Sequence, residues 1–164
     1  MSIPVNIFFL SHNPTDCATQ HVDKHVVKMI LEYAQLLSNA HHMLDGEQVI
    51  TPIYKLTHKN HPSAVWVRQS REHYMWLWSL LGALCKEYTF RYEKVHKVER
   101  EGLLQILSQP PKNIVSKGWL SDPTPAMPDQ YKTESVINSY RNYYNGDKRS
   151  FATWKKRTAP SWFV

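Results

Sequence analysis

The chain has 164 residues, enough for one domain that buries roughly two-thirds of the surface exposed by its unfolded form. Its 20 Lys and Arg exceed its 14 Asp and Glu and give a formal net charge of +6, which favours a polyanionic partner, nucleic acid first and a membrane surface second. No apolar run approaches the ~18 residues of a membrane span, and the N-terminus lacks the basic start of a signal peptide. The cytoplasm is therefore the expected location, and a membrane or secreted protein is not expected.

The local signatures of several enzyme classes are absent. The sequence holds no GxGxxG, GxxxxGK[ST], GxSxG or HExxH pattern and no zinc-deaminase pattern. Its two cysteines, Cys17 and Cys85, lie far apart and outside any CxxC pair, as is typical of buried reduced thiols in an intracellular protein. The sequence therefore implies no cofactor and no metal site.

The first predicted elements are an extended run and a long helix. Residues 5–10 are apolar and should be extended and packed on the core. Asn13 and Pro14 suit an N-cap and a first helical turn, and apolar residues recur with helical spacing to about residue 44. Gly46 suits a left-handed cap that ends the helix there.

The polar side chains of this long helix should form one stripe. At about 100° per residue, six of them fall within roughly 80° of one another: His21, His25, Lys28, Glu32, Gln35 and Asn39. Most of the remaining circumference is apolar, Val27 and Leu31 included, so the helix should be buried and its stripe should face a cleft, a ligand or a partner. Asp23 lies off the stripe on the more apolar side and should need a buried partner.

Two helices are predicted in the middle of the chain. Residues 47–61 show no period and should form a loop, and Pro62 should begin a helix capped by His61 or Asn60. A cap at Ser70 would divide the following block into a short helix and a long one. Helical spacing assigns part of the long helix to the core: Tyr74, Leu77, Leu81, Leu84 and Tyr88.

The last part of the chain should hold shorter elements. We expect a short helix over residues 101–107, an ordered proline-rich loop over residues 109–132, and a helix from a cap at Thr133 or Ser135 through Tyr144. Residues 149–156 could form one more short helix. The sequence has no repeat and no linker, so residues 1–164 are predicted to be a single all-α domain around the long N-terminal helix.

The polar stripe is the first candidate site. His21 and His25 have the spacing of two metal ligands, but the spacing specifies no third ligand. Lys28 and Glu32 are either an ordinary surface pair or, if buried, a pair whose pKa values shift far enough for acid–base chemistry. The stripe can therefore line an active site or form a buried structural network.

Two further groups could contact phosphates. A loop rich in His and Lys leads into a helix N-terminus, with Arg68 and Arg71 expected on one helical face; its other members are His58, Lys59, His61 and Trp66. The alternative is a solvated loop with structural histidines. The C-terminal quarter interleaves aromatic residues with cations that include Arg141, Lys148, Lys155 and Lys156, as in a nucleic-acid groove, although some of those rings must pack on the core. Arg91 either complements a helix dipole or contacts phosphate.

Most of the chain resembles a group of small phage-encoded proteins. The matching pieces are HVDKHVVKMILEYAQLL, YKLTHKNHPSAVWVRQS, EYTFRYEKVHK, AMPDQYK and SYRNYY…ATWKKRTAPSWF. More distantly, the chain is similar to the pyrimidine-dimer DNA glycosylase/AP lyases of phages and algal viruses. That family has an Arg-Glu-x-x-Arg motif, to which Lys24, His25 and Lys28 correspond, with His25 in place of the catalytic carboxylate. A tyrosine-rich run of the family resembles residues 140–148.

The resemblance implies a compact all-α enzyme that removes a damaged base and cuts DNA at the abasic site. In the family the nucleophile is the amine of the mature N-terminus, which would require Ser2 to be exposed by removal of Met1. If Met1 is retained, a desolvated Lys28 would be the substitute, and His25 or Glu32 would transfer protons. The resemblance also implies that Lys24, Arg141 and Lys148 lie near DNA.

The leading hypothesis is therefore a DNA-acting enzyme of the phage-encoded glycosylase/lyase type, or one that modifies a base. Its predicted catalytic residues are His21, His25, Lys28 and Glu32, lining a pocket for an extruded nucleotide, with Trp66 supporting the unstacked base. The alternatives are a non-catalytic nucleic-acid-binding protein, whose binding would be sensitive to salt, and an enzyme on a nucleotide, which would need a closed pocket. The sequence leaves the oligomeric state open.

Overall fold

Seven α-helices and three short 3₁₀ turns form the regular structure of residues 6–164, the part of the chain that this computed structural model describes. The helices are α1 (Pro14–Gln20), α2 (Asp23–Asp45), α3 (Pro62–Arg68), α4 (Arg71–Tyr92), α5 (Lys97–Arg100), α6 (Leu103–Ile106) and α7 (Val136–Asn145). No β-strand occurs in this range, so the predicted all-α fold is confirmed. None of the described helices has the length and hydropathy needed to cross a bilayer.

Local signals set most of the helix ends that the sequence predicts. The side chains of Asn13, His61 and Ser135 accept hydrogen bonds from backbone N–H groups in the first turns of α1, α3 and α7. Gly46 follows α2 with a φ of 55°, a conformation that favours glycine. The division of the second helical block at Ser70 is also confirmed, because α3 ends before it and α4 begins after it.

The prediction of one long N-terminal helix is wrong, because the chain is extended at His21 and Val22 between α1 and α2. The backbone groups left unpaired by this break find partners far away in the sequence. Arg91 donates to the carbonyl oxygens of Thr19 and His21, at 2.9 Å each. The Asp23 N–H, at the start of α2, donates to the Thr153 carbonyl at 2.8 Å. Tertiary contacts therefore replace the helical hydrogen bonds that the break removes.

The core lies between α2 and α4, with α1 against α4 and α3 against α2. In α4, the predicted core residues Tyr74, Leu77, Leu81 and Leu84 are fully buried, whereas Tyr88 is half-buried. The expectation that α2 is buried nearly all round is wrong on one side. Val27 and Leu31 keep 44% and 41% of their surface exposed, and these two side chains share the solvent-facing side of α2 with Lys24 and Lys28.

Buried charges fix the start of α2 to α4 and to the C-terminal segment. Arg91 has no exposed surface and contacts the carboxylates of Asp23, at 2.9 Å, and Glu87, at 2.7 Å. Arg157 binds the same Glu87 through two hydrogen bonds of 2.9 and 3.0 Å. The buried partner that the sequence requires for Asp23 is therefore Arg91, and this prediction is confirmed.

The described segments before α1 and after α7 lie mostly outside regular secondary structure. Residues 6–10 are buried as predicted and belong to no helix or strand, and the Leu10 N–H donates to the Phe8 carbonyl at 3.1 Å. Residue 5 of that predicted run lies outside the described range. The predicted helix over residues 149–156 is wrong, since only the 3₁₀ turn Arg149–Phe151 forms there. The backbone beyond that turn is used elsewhere: the Lys155 N–H donates to the Asp23 carboxylate, and the Thr153 carbonyl accepts from the Asp23 N–H.

Candidate active site

A small cleft of about 100 Å³ lies where the N-terminal half of α2 meets residues 6–8 and the end of α7. Three of the four predicted catalytic residues line it, and the full lining is Asn6, Phe8, His25, Lys28, Met29, Glu32, Tyr143 and Lys148. Larger depressions exist elsewhere on the surface. This cleft is nevertheless the candidate active site, because it brings together a histidine, a carboxyl and two amines.

His25 presents one ring nitrogen to the cleft and uses the other inside the protein. Its ring is stacked on Phe8 at 4.0 Å, and its Nδ1 lies 2.7 Å from the Tyr144 hydroxyl. That hydroxyl accepts from the Val22 N–H at 3.4 Å, so its own proton has only Nδ1 as an acceptor among the described residues. Nδ1 is therefore the unprotonated nitrogen, and Nε2 carries the hydrogen.

The pKa of His25 supports the same assignment. Burial, the largest cause, and the charges of His21, Lys148, Lys28 and Lys24 together lower this pKa to about 2. His25 is thus neutral at physiological pH and has an Nε2–H without an acceptor among the described residues. Such a group can donate a hydrogen bond to a substrate oxygen, but it is a poor base.

His21 does not reach the cleft. It is fully buried, its Nδ1–H donates to the Cys17 carbonyl at 2.7 Å, and its Nε2 accepts from the Tyr33 hydroxyl at 2.8 Å. Burial lowers the pKa of His21 to about 4. Because both ring nitrogens are already bonded, we assign His21 a structural role and withdraw it from the predicted catalytic set.

Glu32 and Lys28 do not form the buried pair considered from the sequence. The Glu32 carboxyl is half-buried, and burial raises its pKa while the charges of Lys28 and His58 oppose the rise. Lys28 is exposed, so the desolvation expected for it is absent. The two side chains form no ion pair within 4.0 Å.

Lys148, and not Lys28, is the partly buried amine of the cleft. Its amine is half-buried, 4.9 Å from the ring centre of Tyr143 and 5.7 Å from that of Phe151. Burial lowers the pKa of Lys148, and the charge of Lys28 lowers it further against the opposing charge of Asp147. The sequence predicted Lys148 as a DNA contact and gave no sign that it joins Glu32, since spacing along a chain cannot relate elements so far apart.

The C-terminal half of the predicted stripe has a structural role. Asn39 is buried, and its amide pairs with the backbone of Thr57, donating to the carbonyl oxygen and accepting from the N–H. These bonds hold the loop after α2 against the helix. Gln35, between the two halves, is half-buried. The structural reading therefore applies to His21 and Asn39 of the stripe, and the active-site reading stays a prediction for His25, Lys28 and Glu32.

The predicted phosphate loop before α3 is mainly structural. His61 caps α3 with its ring, and Trp66 is buried, stacked on His73 at 4.2 Å with its Nε1–H bonded to the Ser121 carbonyl. Arg68 donates to the Lys59 carbonyl at 2.7 Å. Arg68 and Arg71 belong to different helices, so the expected shared face does not exist. Lys59 and Arg71 are exposed, and the charge of His58 acts on Glu32 at the cleft.

Aromatic rings order the cations of the C-terminal segment. Every Lys and Arg from residue 141 onward lies over a ring: Arg141, Lys148, Arg149, Lys155, Lys156 and Arg157. Lys24 lies over Phe151 at 4.5 Å. Tyr140 and Tyr144 are fully buried and cannot stack on bases, and Arg91 is buried in its ion pairs and cannot reach phosphate. The remaining cations keep positive charge at the surface.

Known proteins give no further assignment for this site. Comparisons with protein-family models, with curated proteins and with solved structures each find no match for the chain. Within residues 6–164, no three His, Cys, Asp or Glu side chains converge as metal ligands would. The resemblance to the glycosylase/lyases therefore stays a prediction.

Proposed function

We propose that the protein is a DNA lyase that acts at abasic sites through the amine of Lys148. The proposal stays within the predicted class of DNA-acting enzymes and limits the reaction to cleavage of the strand at an abasic site. The observation that carries the proposal is that an amine and a carboxyl, Lys148 and Glu32, line one cleft and are both partly withdrawn from water. Burial moves their pKa values toward each other, as amine-dependent acid–base chemistry requires.

The reaction uses the aldehyde of the ring-opened abasic sugar. The unprotonated amine of Lys148 attacks C1′, and loss of water leaves an iminium ion that joins lysine and sugar. Glu32 then removes a proton from C2′, and the electron pair of that C–H bond expels the 3′ phosphate. Addition of water to the iminium releases the lysine and an unsaturated aldehyde. The His25 Nε2–H is available to a sugar or phosphate oxygen.

The size of the cleft favours this step over base removal. A pocket for a whole drug-sized ligand holds roughly 300–1,000 Å³, whereas this cleft holds about 100 Å³. An abasic sugar fits such a space better than the extruded nucleotide considered from the sequence. A free nucleotide, which would need a closed pocket, fits it less well for the same reason.

Positive charge beside the cleft supports a nucleic-acid substrate. The exposed Lys24 and Lys28 flank His25 on α2, and neither has an ion-pair partner within 4.0 Å among the described residues. Two phosphates on either side of an abasic site would neutralise them. The alternative nucleophile, the N-terminal amine, falls on Met1 or Ser2, which lie outside the described residues.

Borohydride trapping on abasic-site DNA tests the proposal, because reduction makes the iminium permanent. The wild-type protein should give a covalent adduct, and Lys148→Arg should lose it while still binding the DNA, since arginine keeps the charge but forms no Schiff base. Lys86→Arg, an exposed position on α4, is the control that should still be trapped. No wild-type adduct, where a known lyase is trapped, would reject the lyase. A full adduct with Lys148→Arg would instead identify another amine.

A non-catalytic nucleic-acid-binding protein is the second candidate. It is favoured by Lys155 and Lys156, two exposed cations that lie over aromatic rings outside the cleft and could contact phosphates. It predicts salt-sensitive DNA binding that is weakened by Lys155→Ala and unchanged by Glu32→Gln, with no trapped adduct. The two candidates therefore give opposite results in the same experiment.

A further inference from the structure

A second cleft, of about 510 Å³, lies between the end of α1, α7 and the C-terminal segment. It shares no residue with the His25 cleft, so nothing about it depends on the lyase proposal. Its lining is polar and consists of Asp16, Thr19, Gln20, Arg141, Arg157, Thr158, Pro160, Ser161 and Trp162.

Arg141 brings to this cleft a charge that the protein does not neutralise. One of its terminal nitrogens donates to the Leu10 carbonyl at 3.2 Å, and its guanidinium lies 5.4 Å from the ring centre of Trp162. No carboxylate of the described residues lies within 4.0 Å of it, and its buried Nε–H has no acceptor there. Arginines withdrawn from water are normally paired with an anion.

The other donors around Arg141 also lack acceptors. Gln20 uses its side-chain oxygen to accept from the Trp162 Nε1–H at 2.9 Å, which leaves its NH₂ group without an acceptor among the described residues. The hydroxyls of Thr158 and Ser161 are likewise unbonded within residues 6–164. Arg157 is compensated by Glu87, so Arg141 is the cation of this lining that has no ion-pair partner among the described residues. Asp16 is the one carboxylate in the lining, and it is exposed at the edge.

We propose that this cleft binds a phosphate monoester of nucleotide size, with Arg141 as the principal cation. A guanidinium offers parallel N–H groups that fit two oxygens of a phosphate, and the hydroxyl and amide donors of the same lining are available to its other oxygens. The volume exceeds that of a phosphate group alone and falls within the range for ligand pockets. The group it accepts is either a free mononucleotide or the 5′ end of a DNA strand.

Calorimetric titration distinguishes these sources. A deoxynucleoside 5′-monophosphate should bind, inorganic phosphate should bind more weakly, and the matching nucleoside without phosphate should not bind. A short 5′-phosphorylated oligonucleotide with tighter binding than the mononucleotide, and than its 5′-hydroxyl counterpart, identifies a strand end as the ligand. Equal affinity for nucleoside and monophosphate, or no binding of any phosphorylated probe at millimolar concentration, overturns the proposal.

Variants with opposite expected effects link the binding to the cleft. Arg141→Gln should weaken monophosphate binding at least ~10-fold, because a charge-assisted hydrogen-bond donor is lost. Asp16→Asn should strengthen binding by about 2- to 5-fold, since it removes the nearby negative charge without removing a side-chain hydrogen bond. Arg100→Gln is the matched control, because Arg100 also donates to one backbone carbonyl, that of Val95, and should leave binding unchanged.

The Asp16 variant keeps the proposal testable if Arg141→Gln fails to fold. Weaker binding by Asp16→Asn, or equal losses for Arg141→Gln and Arg100→Gln, would contradict the assignment. Thermal denaturation without ligand shows whether each variant is folded.

Discussion

His21 and His25 show how one residue type takes two roles within four positions. Each receives the proton of a buried tyrosine hydroxyl, Tyr33 for His21 and Tyr144 for His25. In His21 the remaining nitrogen is bonded to a carbonyl, whereas in His25 it is the Nε2–H at the cleft. The two rings therefore differ in whether the nitrogen that the tyrosine leaves free has an acceptor within the described residues.

The tautomer of His25 is a direct prediction of this geometry. Nitrogen NMR of the wild-type protein should find Nδ1 unprotonated and Nε2 protonated, from neutral pH down to about pH 5. Tyr144→Phe should remove that preference and give a mixture of tautomers, because the only donor to Nδ1 is gone. Borohydride trapping should then slow by less than the ~100-fold that complete loss of an active-site donor costs, because part of the His25 population keeps its Nε2–H.

Tyr33→Phe is the control for this measurement. It removes the equivalent hydroxyl from His21 and should leave the His25 signals unchanged. A wild-type His25 with its proton on Nδ1 would refute the assignment, whatever the activity of the variants.

At the scale of elements, the break between α1 and α2 depends on Arg91. Arg91→Met should lower the free energy of unfolding by about 3–5 kcal/mol, because Asp23 loses its buried cation and the carbonyls of Thr19 and His21 lose their donor. Arg157→Met, at the exposed side of the same network, should cost within about 1 kcal/mol. Denaturant titration measures both, and equal losses would show that the buried arginine has no special part in the break.

The break between α1 and α2 could not be predicted from the sequence, whereas other helix ends could. Helix ends at Asn13, Gly46, His61 and Ser135 follow from the residue at the end itself, so they were predictable. No proline or glycine marks His21 and Val22, and the apolar period continues through them. Their partners come from α4 and from the C-terminal segment, and no local pattern contains that information. The one related prediction was that Asp23 needs a buried partner, which is Arg91.

The candidate site was predictable to the same extent. Periodicity placed His25, Lys28 and Glu32 on one face, because these residues belong to a single helix. Periodicity could not supply Lys148, which follows the C-terminal end of α7, or Tyr144, which is 119 positions from His25. It also overestimated the burial of Lys28, because the composition of a helix does not say which side its neighbours leave uncovered.

At the scale of the whole molecule, buried neutral histidines should make stability depend on acidity. The folded-state pKa values of His21 and His25, about 4 and about 2, lie below the ordinary value near 6.5. Below that value the unfolded chain takes up protons that the folded chain does not, so stability present at neutral pH is lost as pH falls. The free energy of unfolding should drop by up to about 1.4 kcal/mol per pH unit for each histidine between roughly pH 6 and pH 4.

Urea titrations at pH 7.5, 6 and 5 check this slope. Above pH 7.5 the two histidines should contribute almost no change, because they are then largely neutral in both states. His25→Gln should reduce the slope by about half of the two-histidine contribution. A free energy of unfolding that stays constant from pH 7.5 to pH 5 would contradict the assignment of both rings.

The partners of His25 and Asp23 lie far along the chain. The Tyr144 hydroxyl contacts His25 across 119 positions, and the Lys155 N–H binds Asp23 across 132. A ribosome adds roughly 5–20 residues per second, so these partners follow the start of α2 by about 6 to 25 seconds. During that interval the nascent chain has His25 and Glu32 but neither Lys148 nor the groups that orient the ring. The cleft is therefore incomplete on a growing chain, and the amine chemistry that we propose for it requires α7 and the segment that follows it.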